Sequence, residues 1–374
     1  MLICPDSFKG TLSAEQVSTI IAEAIYEINP AVKTQQLPIA DGGEGTLKTL
    51  IFATKGKLYS VQVKGPLGEP ILAQYGVLGD GETCVIELAQ ASGLLLVAHE
   101  KRNPFKATTF GTGELIAAAL NEGYRKFIIC LGGSATNDAG FGLLQALGVR
   151  FLNAKGEELC ESVDQLLQLK DIDLSHFHPA IKESEFVIAN DVDNPLIGEC
   201  GASAVFGPQK GVKTHEVAQF DAYLKQFADV VAQRKKIRLH DLPGAGAAGG
   251  VGGTMKAFFS ATFKRGIDVV LDTANFEKAL QSVQLVITGE GKSDVQTLYG
   301  KAPLGVVQCA RPFNVPVVLL SGVVEEESKE QLEAVFSAVY AVVGDGISRE
   351  ASIANPEENL KRRILQSMQD LFEK

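Results

Sequence analysis

No apolar run in this sequence approaches the roughly 20 residues that cross a bilayer. No charged segment followed by a long apolar one opens the chain, so no membrane partner is expected and the cytoplasm is the expected location. Positive charge is scarce as well. Against 45 Asp and Glu stand 35 Lys and Arg, a net charge of −10, and without a basic stripe to displace counterions no nucleic-acid partner is expected. Arg234, Lys235, Lys236 and Arg238 form the densest basic cluster, which reads as the solvated end of a helix. A small anionic substrate is still allowed, because it needs only a few local cations.

Cysteine chemistry is missing too. The 6 cysteines, at 4, 84, 130, 160, 200 and 309, form no C-x-x-C pair and have no histidine at ligand spacing, so they read as reduced and mostly buried. None of the 5 histidines stands in a G-x-S-x-G or H-E-x-x-H setting, which removes Ser-His-Asp and Cys-His catalysis. His176 and His178 flank Phe177 in a polar stretch that reads as a solvated loop.

What is present is glycine, 38 residues against 14 Pro, in a chain that is 45% hydrophobic and 374 residues long. That length exceeds what a single core usually supports, so two domains are expected. Leu2–Cys4 reads as a strand, PDSFKGT as a turn, and Ser13 with Gln16 as a capping box before the apolar helix face of Val17, Ile20, Ile21, Ala24, Ile25 and Ile28. A strand near Lys33–Pro38 and a helix through Leu47 and Leu50 complete a βαβα opening. Beyond Ser60 the alternation broken by GPLGEP and GDGE predicts antiparallel hairpins. From Ile267 strand–helix units return at Val269–Leu271, Leu285–Thr288, Val317–Leu320 and Val339–Val343. The expected architecture is two-domain α/β: a parallel-sheet, Rossmann/flavodoxin-like domain from residues 1–60 and 262–374, with a mixed α/β domain, 61–261, inserted.

Three glycine-rich stretches invite a phosphate. GEGKS at Gly289–Ser293 resembles the end of a P-loop, but Val286 stands where the pattern needs Gly; Lys292 reads either as a point charge or as an exposed helix-start residue. Gly244, Gly246 and Gly249, followed by Asp272, imitate a dinucleotide fingerprint that would make the chain an oxidoreductase. No strand precedes them, and close approach of two backbones accounts for them as well. LGGSATNDAGFG, Leu131–Gly142, does follow an apolar strand and precedes a helix, as an anion cradle would. Around these lie polar loops at expected strand ends: Asp6, Ser7 and Lys9; Asp41 and Glu44; Ser134 to Asp138; Asn190, Asp191 and Asp193; Glu290, Lys292 and Asp294. Carboxylates with scattered lysines beside an anion cradle suit phosphoryl transfer, and weigh against a non-catalytic small-molecule sensor.

Together PDSFKGTLSA, PIADGGEGT, GTGELI, GGSATNDAG, NDVDNPL, GPQKG, PGAGAAGG, ITGEGKSDVQTLYGK and GDGI resemble the bacterial glycerate kinase family of the type I class, over nearly the whole chain. The resemblance implies ATP-dependent phosphorylation of D-glycerate with Mg²⁺, 2-phosphoglycerate as the expected product and 3-phosphoglycerate as the alternative. It also implies two α/β domains with the active site in the cleft between them; a homo-oligomer is allowed. One departure is Asn190, where the family often has Cys. Residue type and position assign Asp6, Ser7, Lys9, Asp41, Gly42 and Gly43 to substrate, with Lys9 on an anionic oxygen. They assign Gly132, Gly133, Ser134, Thr136, Asn137 and Lys210 to the ATP phosphates, and Asp193 and Asp294 to Mg²⁺. Asp191 is assigned to accept the hydroxyl proton, and Lys210 and Lys292 to neutralise transition-state charge.

Overall fold

The computed structural model describes residues 1–367. The chain divides into two compact units, one from Met1–Asp41, Lys48–Lys55 and the chain from Ile267 on, the other from Gly42–Leu47 and Gly56–Gly266. The expected boundaries, 60/61 and 261/262, therefore move to 55/56 and 266/267, and Gly42–Leu47 groups with the inserted unit. The reason for the last shift is local: the backbone N–H groups of Gly45 and Leu47 both donate to Glu87 Oε2, at 3.1 and 3.0 Å.

The first unit is built on a five-stranded sheet in the order Ala338–Ala341, Val317–Ser321, Val286–Gly289, Leu2–Pro5, Gln35–Gln36, with every pairing parallel. Numbered along the chain within this unit, that is the 2-1-3-4-5 order of flavodoxin-like sheets. Its central strands are mostly apolar because helices cover both faces of a parallel sheet; Leu2, Ile3, Cys4, Val286 and Ile287 are fully buried. Helix Ala14–Ile28 begins at the expected capping box: Gln16 N–H donates to Ser13 Oγ at 3.2 Å, and Ser13 N–H to Gln16 Oε1 at 2.9 Å. Its buried face carries Val17, Ile21, Ala24 and Ile25.

One expected strand is a helix. Val269–Leu271 lie within the helix Gly266–Thr273, because Ile267, Val270, Leu271 and Ala274, all buried, recur at helical spacing. Asp272 consequently lies in a helix and not at a strand end.

The second unit holds a six-stranded sheet ordered Thr262–Lys264, Glu185–Ala189, Lys126–Cys130, Thr83–Glu87, Pro70–Val77, Lys57–Lys64. The first four strands are parallel, and the last two form the expected antiparallel hairpin. Helix Ala247–Phe258 contains the glycine run, with Ala248, Gly249 and Gly250 in the left-handed region. A Cβ on Gly249 would stand 2.1 Å from the carbonyl oxygen of Thr136, and one on Gly250 2.7 Å from Ala139 Cα. Close backbone approach thus accounts for GAGAAGG, whose last two glycines rest on the protein's own loop. Among the cysteines, Cys4, Cys84 and Cys130 are buried, but Cys160 and Cys200 are exposed and Cys309 is intermediate, so burial is less general than expected.

Gly249→Ala combines a left-handed backbone with this overlap. It is expected to lower the free energy of unfolding by more than about 2 kcal/mol, read as a lower midpoint in chemical denaturation; an unchanged midpoint would show that the loop contact is dispensable.

Candidate active site

In the first unit the functional side chains emerge where the strand order reverses, between Leu2–Pro5 and Val286–Gly289, the place where open α/β sheets bind ligands. Pro5 pairs with Gly289, and Asp6 N–H donates to Gly289 O at 2.8 Å. The next residue on each strand is therefore a carboxylate, Asp6 on one and Glu290 on the other. They open into a cavity of about 300 Å³ whose lining includes three carboxylates, Asp6, Asp41 and Glu290, and four cations, Lys9, Lys292, Lys301 and Arg349. With all seven charged, an excess of positive charge is left for an anionic ligand.

The carboxylates are held differently. Lys9 Nζ pairs with Asp41 at 3.2 Å. Glu290 Oε1 accepts from Ser293 Oγ at 2.9 Å and Thr297 Oγ1 at 2.6 Å, while Oε2 lies 3.6 Å from Lys301 Nζ. Asp6 is 8% exposed and, among the described residues, accepts only the N–H of Ser7, on Oδ1 at 2.6 Å. Burial, followed by the charge of Asp41, pushes the Asp6 carboxyl up to about 7 against the opposing pull of Ser7 N–H and Lys9. Lys292 lies in the short strand Lys292–Ser293 rather than at a helix start, and pairs with Glu325 at 2.8 Å. Asp294 caps the turn Val295–Tyr299, its Oδ1 accepting from Gln296 N–H at 2.8 Å, with Lys292 and Lys301 each 4.0 Å away.

The second unit carries the loop Leu131–Gly142. Its helix, Phe141–Ala146, is short, and its first N–H groups are not open to an anion. Asp138, buried, accepts from Gly140 and Gly142 N–H, while Thr109 Oγ1 accepts from Leu143 N–H and donates to Asp138. The expectation of a helix-start phosphate cradle is corrected accordingly. Gly132 and Gly133 are the reachable part of the loop, whereas Ser134, Thr136 and Asn137 are buried. Gly43 packs on Gly132, where a Cβ would stand 2.4 Å from Gly43 Cα, and Gly42 packs against Gly266 and Ala189.

Beneath this loop lies Lys210, 2% exposed, donating to Ser134 Oγ at 2.8 Å and to Thr136 O at 2.7 Å. Burial pulls its amine down to about 7, with Asp138 opposing. A side chain so placed positions the loop; it is not displayed to a transition state. Asp191 is exposed, and its Oδ1 accepts from Gly266 N–H at 2.8 Å. Asp193 is exposed.

The sequence expectation missed three groups. Glu87, fully buried, anchors ADGGEG but is hidden at the end of a mostly apolar strand, Thr83–Glu87. Lys301 reads as an ordinary surface lysine until the fold brings it to Glu290. Arg349 lines the first unit's cavity, and its one sequence signal is its place just after GDGI.

The glycerate kinase family profile matches residues 1–371. This chain belongs to the glycerate kinase family. It is a kinase that phosphorylates an alcohol group. Within the glycerate kinase family, a Bacillus subtilis (strain 168) glycerate kinase is 43% identical over 362 residues, 97% of this chain and 95% of its own. The Escherichia coli K12 glycerate 2-kinase is 42% identical over 346 residues, 91% of each chain. A crystal structure of a glycerate kinase 2 from Salmonella typhimurium LT2 superposes with a TM-score of 0.88 at 40% identity, covering 100% of this chain and 97% of that one.

The lowered proton affinity of Lys210 has a definite sign. Its folded value lies below the unfolded 10.5, so its contribution to stability is present above the unfolded value and is lost as pH falls through about 7. Between about pH 9 and 6.5 the wild type is expected to lose stability relative to Lys210→Met. Urea midpoints of both proteins check this, and parallel pH curves would count against a buried, titrating Lys210.

Proposed function

We propose that this protein transfers the γ-phosphoryl group of ATP to D-glycerate, giving 2-phosphoglycerate, with Mg²⁺ as cofactor and in the cytoplasm. The observation that carries the reading is the mixed-charge cavity at the strand reversal in a glycerate kinase family chain. A substrate with one carboxylate and two hydroxyls needs cations for the first and a carboxylate facing one of the second, and Lys9, Lys301 and Asp6 supply both. The relative named glycerate 2-kinase supports the 2-phosphate as product.

For the nucleotide, the reachable backbone of Gly132 and Gly133 suits phosphate oxygens, with Ser134, Thr136, Asn137 and Lys210 holding it from below. Thr136 Oγ1 and Asn137 Oδ1 are buried without a partner among the described residues. Mg²⁺, when bound, offsets charge on the phosphates, and usually takes only one or two protein carboxylates because it keeps its water. Asp193, exposed, fits that role. Asp294 fits it less well, since its Oδ1 caps a turn and two lysines stand 4.0 Å away.

Incubation with ATP, Mg²⁺ and D-glycerate is expected to yield a phosphorus resonance split into a doublet by a single C–H proton. A triplet would mean the 3-phosphate, and no new phosphomonoester would sink the reading. Lys9→Met is expected to raise KM for glycerate by at least about tenfold, the scale of a lost charge-assisted hydrogen bond, with a smaller change for ATP; equal rises would move Lys9 to the nucleotide.

A further inference from the structure

Phosphorylation of an alcohol requires a place for the hydroxyl proton. Of the three carboxylates lining the first unit's cavity, two are already engaged: Asp41 by Lys9, and Glu290 by Ser293, Thr297 and Lys301. Asp6 has no cation within ion-pair distance among the described residues, and its Oδ2 accepts no hydrogen bond there. Its position is nevertheless rigid, because its backbone N–H is tied to Gly289 O at 2.8 Å and Ser7 N–H holds Oδ1.

On the glycerate kinase reading, we propose that Asp6, not Asp191, is the catalytic base that takes the proton of the substrate hydroxyl. The hydroxyl O–H bond breaks and its proton passes to Asp6 Oδ2. The freed oxygen lone pair forms the bond to the γ-phosphorus, and the bond from that phosphorus to the bridging oxygen breaks with its electron pair leaving on ADP. Asp6 then returns the proton to solvent. Asp191 is exposed and already accepts from the Gly266 backbone, a placement that suits a structural cap.

The surroundings of Asp6 suit a base. Asp41 and Glu290 face it with negative charge and Lys9 with positive, while Lys301 acts at one remove through Glu290. Burial and Asp41 together raise its proton affinity to about 7, from an ordinary value of 3.8. A base of that strength is ionised enough to act near neutrality and basic enough to hold the proton it receives. It also costs stability: the contribution of neutral Asp6 is present below the unfolded value and is lost as pH rises through about 7.

The test compares wild type, Asp6→Asn and Asp191→Asn with D-glycerate and ATP from about pH 5.5 to 9. Asp6→Asn is expected to lower kcat by about 10²–10⁴ with KM for both substrates within a few-fold, and to abolish the acid limb of the wild-type kcat profile near pH 7. As pH rises from about 4 to about 7, its unfolding midpoint should climb relative to wild type, which a purely structural Asp6 would not produce. Turnover by Asp6→Asn within about tenfold of wild type, or an acid limb unchanged in it, overturns the assignment. A larger loss in Asp191→Asn than in Asp6→Asn does the same. Should Asp6→Asn fail to fold, Asp6→Glu serves: it must displace the acid limb, and an undisplaced limb overturns the proposal. Failure of the glycerate reading is separate, since there the wild type itself does not turn glycerate over.

Discussion

The parallel pairing of Leu2–Pro5 with Val286–Gly289 is the constraint on which the carboxylate cavity depends. It joins two segments that are remote in sequence, and its register sets Pro5 opposite Gly289. The carboxylates that follow, Asp6 and Glu290, must then emerge side by side at the carboxyl edge of the sheet. Two like charges in a partly dry place repel, so the surrounding lysines are needed. Lys9 engages Asp41 and Lys301 engages Glu290, leaving Asp6 as the group that bears the cost of burial. Gly289 is required for the same edge to close, since a Cβ there would stand 1.8 Å from Leu320 O.

The inserted unit solves a different problem, holding a ten-residue-scale loop still without regular structure. Backbone groups in a buried loop need partners, and here buried charges supply them: Asp138 gathers N–H groups at the helix start, Lys210 binds Ser134 and Thr136 O, and Glu87 gathers the N–H groups of Gly45 and Leu47. Glycines do the complementary work of letting backbones touch, Gly249 on Thr136 and Gly43 on Gly132. Charge inside and glycine at the backbone contacts hold a loop whose reachable part, Gly132 and Gly133, is bare main chain.

Much of this was legible beforehand where the signal is local. The capping box at Ser13 and Gln16, the hairpin expected beyond Ser60 and found from Lys57, and the strands expected at Leu2–Cys4 and Leu285–Thr288 and found at Leu2–Pro5 and Val286–Gly289 each depend on neighbours a few residues away. Legibility failed where two patterns share one stretch. Val269–Leu271 satisfies a short buried strand and one turn of a helix equally, and only packing chose the helix. Residue type also carried no placement for Asp191, which accepts from the Gly266 backbone, or for Lys210, which lies buried beneath the loop.

By itself the sequence determined the family, the α/β class, the discontinuous first unit and the set of polar loops at strand ends, because motif identity and hydrophobic period are properties of contiguous residues. Which of those loop side chains meet was decided by tertiary structure alone. Strand order brings Asp6 beside Glu290 and Lys301, and among the described residues leaves Asp6 without a cation at ion-pair distance while its neighbours have one. Proton affinity depends on that arrangement of burial and charge around a group, and the chain order of residues does not carry it.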